Sequence, residues 1–213
     1  MKEIAPGIWR WTARHPEWHP GEWGAEVACF LVHHYDATVL IDPLLAEGTA
    51  EQLDPLIAGD VVVGVTIPYH VRSTAEVIAR WGGIAVGHPA LRKRLPAHVP
   101  FNEAFPGAEL PGGLRAHTAG RTYERPLGLP GVSALAFGDR IVGVDGRLRF
   151  WMPREVTPER IARYRRVVVP QLEPLVGTDP ERVLVTHGPP VLRNGRSALQ
   201  EAIHGEPWYH RPS

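Results

Sequence analysis

The sequence predicts a mixed α/β (α+β) chain, a single domain over residues 1–213 built as a four-layer αββα sandwich. Three observations point there. Apolar runs of strand length fall into two groups, one in each half of the chain. Each group is accompanied by stretches of helical periodicity, so two sheets can each be backed by helices. No internal repeat or low-complexity linker divides the chain.

The first half opens with strands. "GIWRWTA", Gly7 to Ala13, alternates aromatic and β-branched residues. "HPEWHPGEWG", His15 to Gly24, is a Pro/Gly-punctuated loop carrying His15, Trp18, His19 and Trp23. "EVACFLVHH" and "ATVLIDP", separated by "YD", have the pattern of a β-hairpin, which leaves His33 and His34 exposed near its turn. A helix starts at Thr49, with Gln52 completing a capping box. "VVVGVTI" is a continuous apolar run, as expected for a strand covered on both faces. Ser73 and Glu76 form a second capping box, for a helix that presents Val77, Ile78 and Trp81 on one face and stops at Gly82-Gly83. "IAVGHP" is a short strand, and Arg92 to Pro111 is irregular.

The second half repeats the order. "GLRAHTA", "GVSALAF" and "RIVGVDG" read as strands, with Gly138-Asp139 turning the last two into a hairpin. Thr157 caps a helix whose first position is Pro158. Pro170 should kink or stop that helix. "RVLVTHGPP" is a last buried strand, and "GRSALQEAI" a closing helix.

Composition narrows the function classes. Lys and Arg number 23, Asp and Glu 23, so there is no bulk electrostatic case for nucleic acid or an anionic membrane. "RYRR", Arg163 to Arg166, reads as a solvated helix face. No run approaches the ~20 apolar residues that span a bilayer. The start, "MKEIAPGIWRW", lacks the apolar stretch of a signal peptide, so a cytoplasmic location is expected. The single cysteine, Cys29 in "VACFLV", rules out an intramolecular disulfide and Cys-based zinc motifs, and reads as a core hydrophobe. There is no G-x-S-x-G, and Ser73 is better explained as a helix cap than as a nucleophile.

Four loops carry a resemblance. A hairpin strand ends in "VLIDP" (Asp42). "VTIPYHVRSTAEV", "AHTAGRT", "RIVGVDG" and "VLVTHGPP" then follow in that order. Over nearly its whole length the chain resembles the metallo-β-lactamase fold superfamily. In that family the last four places hold a T-H-x-H-x-D-H loop, a P-G-H turn, a bridging aspartate after a strand, and a G-H or T-H-G turn. The resemblance implies one or two metals, commonly zinc, that lower the pKa of a bound water and polarise the substrate. It also implies that the His15–Gly24 loop is an aromatic lid; tryptophans simply packed in a loop remain the equal alternative.

Laid on that pattern, the sequence keeps Thr66 but has Ile67, Tyr69, Val71 and Arg72 at the ligand positions of the first loop. Arg121 takes the histidine position of the second. Asp145 matches the bridging aspartate and His187 the closing histidine. The expectation is therefore a degenerate, metal-free centre with no cofactor, in which Arg72 or Arg121 replaces the cation and pairs with Asp145 beside His187. On this reading Tyr69, His70, Arg72 and Arg121 line a pocket for a small anionic ligand, or the chain is a scaffold and a pseudoenzyme. The alternative keeps zinc or another divalent metal on a rebuilt set of His70, His117, Asp145 and His187. It makes the chain a hydrolase of an ester, thioester or lactone, with Asp145 and His187 as candidate catalytic groups. Whether it is an enzyme stays open. Tryptophans near the N-terminus or Trp208 are candidates for a homodimer surface.

Overall fold

The structure is a computed structural model that describes residues 1–19, 24–120 and 122–210. Its first sheet holds seven strands in chain order. They are β1 (Lys2–Ala5), β2 (Ile8–Arg14), β3 (Glu26–His34), β4 (Ala37–Ile41), β5 (Asp60–Val65), β6 (Ile84–Gly87) and β7 (Phe101–Glu103). Pairing is antiparallel from β1 to β4 and parallel from β4 to β7. Helices α1 (Thr49–Leu53) and α2 (Thr74–Trp81) make the crossovers. The second sheet uses β8 (Arg115–Ala116), β9 (Leu127–Leu129), β10 (Ala134–Phe137) and β13 (Arg182–Val185), in the order β13-β10-β9-β8. Between them in sequence, β11 (Ile141–Val144) and β12 (Arg147–Phe150) pair only with each other. Helices α3 (Pro158–Arg163), α4 (Val169–Val176) and α5 (Gly195–His204) complete the chain.

Three cores define four layers. Strand side chains alternate between faces, so each sheet feeds two cores. In β3, Ala28, Phe30 and Val32 point to the core between the sheets, while Cys29 and Leu31 join Leu53 of α1 and Val77 of α2 on the outer face. In β10, Ala134 and Ala136 face the first sheet, while Leu135 and Phe137 pack with Tyr164, Leu172 and Leu199 from the helical layer behind. The αββα sandwich expected from the sequence is the architecture found.

Several local expectations change. Gly138-Asp139 is not a hairpin turn. Both edges of β10 are already taken, by β9 and by parallel β13, so β11 must pair elsewhere. Neither predicted capping box forms. Thr49 is already helical, behind a left-handed Gly48, and the Ser73 hydroxyl accepts from the Leu45 N–H at 3.0 Å. The Thr157 cap does form, accepting from the Arg160 N–H at 3.3 Å. The bend expected at Pro170 appears as a π-helical turn, Tyr164–Val168, between α3 and α4. Among the described residues no helix is long and apolar enough to cross a membrane.

His34 is buried rather than exposed, and it ties the two sheets together. Its Nδ1–H donates to the Gly112 carbonyl at 2.7 Å, and its Nε2 accepts from the Gly131 N–H at 2.9 Å. A neutral imidazole satisfies both bonds, and burial pushes its pKa down against the pull of the Gly112 carbonyl. The unfolded chain then takes up the proton first. The stability His34 supplies is whole above about pH 6.5 and declines below it, toward the lowered native pKa. His34→Ala should lose about 2 kcal/mol at pH 7.5. Urea unfolding from pH 7.5 to 5 should show wild type and variant converging; parallel curves would refute the assignment.

Candidate functional site

The site lies where strands of both sheets end. Asp42 follows β4 with a left-handed backbone, φ 45°, and is fully buried. Its N–H donates to the Gly64 carbonyl at 3.0 Å, which pins β4 to β5 beneath the site. One carboxylate oxygen accepts the Thr66 N–H at 2.8 Å. The other accepts the Thr66 hydroxyl, the Thr186 hydroxyl at 3.2 Å and His70 Nδ1–H at 2.9 Å. Burial works against the charge of Asp42, but His70, Arg72 and Thr66 prevail and hold its pKa below the usual carboxylate range.

The loop after β5 supplies His70. Residues Pro68–Val71 make one 3-10 turn, closed by the His70 N–H on the Ile67 carbonyl at 2.8 Å. This turn aims the buried imidazole inward, with Nε2 3.3 Å from Asp139 Oδ1. Burial and the neighbouring Arg72 disfavour its charge, yet Asp42 and Asp139 together raise the His70 pKa above its ordinary value. Asp139 follows β10 and Gly138. A side chain at Gly138 would run into the Thr66 hydroxyl at 2.7 Å, so glycine there lets this turn press against the His70 loop. The second oxygen of Asp139 accepts the Tyr69 hydroxyl, and His187 Nε2 stands 3.5 Å from Oδ1. Burial opposes ionisation of Asp139, but His70 and His187 hold its pKa well below the ordinary range. Burial, with Asp139 next, raises that of Tyr69.

Beneath Asp139 lies Glu124, fully buried. Its carboxylate accepts the N–H groups of Gly138, Asp139 and Arg140 at 3.0, 3.3 and 3.0 Å, and so shapes the turn that presents Asp139. Burial, and then the charge of Asp139, push its pKa up to about 7. A cavity of about 440 Å³ opens above the group, lined by His70, Asp139 and His187 and walled by Trp18, Tyr69, Trp151 and Tyr209. Two of its walls come from distant segments zipped together: Met152 N–H donates to the Trp208 carbonyl at 2.7 Å, and Trp208 N–H to that of Phe150 at 2.8 Å.

Solved structures share the fold of this chain. A metallo-β-lactamase from Erythrobacter litoralis, with β-mercaptoethanol in its active site, aligns with TM-score 0.63 at 18% identity, over 95% of this chain and 94% of its own. One from Pontibacter korlensis gives 0.63 at 17%, over 95% of each chain. The chemotaxis sensor ODP, described as a peroxy diiron species, gives 0.59 at 13%, over 85% of this chain and 88% of its own. The chain has the metallo-β-lactamase fold. No family model and no curated protein matches it.

Within the metallo-β-lactamase fold, the expected site residues part company. His70, Tyr69, Arg72 and His187 all line the cavity. Asp145 does not: it is exposed at the tip of the β11–β12 hairpin. Asp145 and Gly146, with φ 50° and 76°, are the two central residues of that turn, and this is why an aspartate stands there. The aspartate of the site is Asp139. Arg72 does not pair with Asp145 either; its Nη1 donates to the Asp42 carbonyl at 2.9 Å. His117 packs over Gly128 and does not reach the cavity. Arg121 and Trp23 lie outside the described residues. Ile67 is buried, and Val71 packs against the outer core, so neither faces the cavity as a ligand would.

Among the described residues no group of three or more His, Cys, Asp or Glu side chains is placed to hold a metal ion. Both ring nitrogens of His70 face carboxylates, at 2.9 and 3.3 Å.

Proposed function

We propose that this chain is a metallo-β-lactamase-fold protein whose pocket binds a small anionic molecule without a metal, the central positive charge being carried by protonated His70. The supporting observation is His70 itself, buried between two carboxylates that raise its pKa. Losing metal ligands leaves Asp42 and Asp139 as buried charges, which are tolerated only when paired. The sequence suggested an arginine for that task; the histidine one step along the loop is better placed. The cavity above offers Asp139 and His187 as a carboxylate–imidazole pair able to hold or move a proton.

Metal analysis of protein purified without chelator tests this. The expected result is well under one zinc, iron or manganese per chain, with a melting temperature unmoved by EDTA. Stoichiometric metal would overturn it.

One observation favours a second reading. Asp139 Oδ1 is buried without a well-aligned hydrogen bond, although His70 Nε2 and His187 Nε2 are both near. A small closure of these three groups would make a one-metal hydrolase site, with Asp42 behind His70. Zinc-stimulated ester, thioester or lactone hydrolysis, lost in His187→Ala, would establish it in place of the first.

A further inference from the structure

By alternation, Ile8, Arg10 and Thr12 share one face of β2. Ile8 is wholly buried in the core between the sheets, whereas Arg10 breaks the apolar pattern on the same face. The neighbouring inward positions of β3 are Ala28 and Phe30, both apolar. Thr12, the next residue of that face, is exposed, so Arg10 stands where the face passes from core to solvent.

Its surroundings leave it undersupplied with acceptors. Arg10 is half-buried, and burial lowers its pKa, partly offset by Glu26 and Cys29. Its Nη2 donates to the Gly188 carbonyl at 3.3 Å, and its Nε is buried without any hydrogen-bond partner among the described residues. Glu26, on β3 in register with Arg14, is exposed to solvent. An unsatisfied buried guanidinium donor is costly, and a bound oxyanion would relieve it.

Arg10 also lines a cavity of its own, about 340 Å³, with Thr12, Glu26, Ala28, Thr186 and Gly188, so one carboxylate of the chain shares this cavity with the guanidinium. This cavity shares Gly24 and His187 with the one above Asp139. The two are therefore neighbours that share His187. A molecule lying across His187 would place one end among Trp18, Trp151 and Tyr209 and the other beside Arg10.

We infer that Arg10 is an anion subsite, and that the pocket takes an elongated carboxylate whose apolar or aromatic body sits over Asp139 and His187 while its carboxylate binds Arg10. This rests on the reading of the site as a small-molecule pocket, and it names the chemical class of the molecule. Arg72 and Arg10 each donate to one backbone carbonyl, and each has a buried Nε with no hydrogen-bond partner among the described residues; what sets Arg10 apart is the separate cavity it lines.

The test uses matched probes on the whole chain, ω-phenylalkanoates with two to five methylenes and the corresponding primary amides, measured by calorimetry. At least one carboxylate should bind about tenfold or more tightly than its amide, the size expected for a charge-assisted hydrogen bond. Arg10→Gln should bring the carboxylate down to the amide's affinity, and Arg10→Lys should keep part of the preference. Melting curves of the variants confirm that both are folded; if Arg10→Gln is not, the Lys variant and the salt dependence of the wild-type preference carry the test. If carboxylates and amides bind wild type equally, or if the preference survives in Arg10→Gln, the subsite is wrong and the pocket stands. If no probe of either kind binds, the pocket reading falls and takes the subsite with it.

Discussion

Replacing His70 by alanine should destabilise the protein by about 3–5 kcal/mol, the loss typical when one partner of a buried charge cluster is removed. Asp42 and Asp139 would be left facing each other's field with no cation between them. The wild type has its own signature. A histidine whose native pKa is raised contributes stability that is whole below about pH 6.5 and is lost as pH rises through the native value. Denaturant unfolding from pH 6 to 9 should therefore show the gap between wild type and His70→Ala narrowing toward the alkaline end. A gap of under 1 kcal/mol at pH 6.5 would show that the imidazole is not the cation of the site.

Glu124→Ala is the second large effect. Three backbone N–H groups lose their acceptor at once, and each unsatisfied buried donor costs about 1–3 kcal/mol. A loss of about 3 kcal/mol or more is expected, with ligand binding lost as well, because the turn presenting Asp139 is built on this carboxylate. The pH dependence runs opposite to that of an ion-paired acid. The native pKa near 7 lies above the unfolded value, so the folded state holds the proton more tightly. Stability from this group is present at low pH and declines as pH rises from about 4.5 toward 7. Glu124→Gln, neutral throughout, should lack that decline. If its stability falls with pH as steeply as that of wild type, the titrating group lies elsewhere.

The layers of this fold were legible because they follow from alternation and from helical periodicity, both local properties. Phe30 and Cys29 face opposite cores for no deeper reason than being neighbours in a strand. Asp42, Thr66 and His187 were legible because each ends a strand whose apolar run is unmistakable. The site failed to read where pairing is non-local. "AFGD" and "GVDG" both look like a strand ending in aspartate, and only the insertion of β10 between β9 and β13 decides that Asp139 is inside and Asp145 outside. His70 was discounted because it stands one step from the expected register, and a 3-10 turn at Pro68–Val71 supplies that step. Glu124, alone in "RTYERP", gives no pattern at all; a signal was available only in an acid placed shortly before a run of buried strands.

The position of the His70 imidazole has a mechanical meaning as well. Asp42 is anchored in the first sheet and Asp139 in the second, so the proton-bearing ring works as a tie-rod across the mouth of the sandwich. Tension in that tie depends on whether the ring is protonated. Slow breathing of the two sheets, seen as amide exchange at the ends of β4 and β10, should speed up as the ring loses its proton. The acidity of the medium would then set the mobility of the pocket walls.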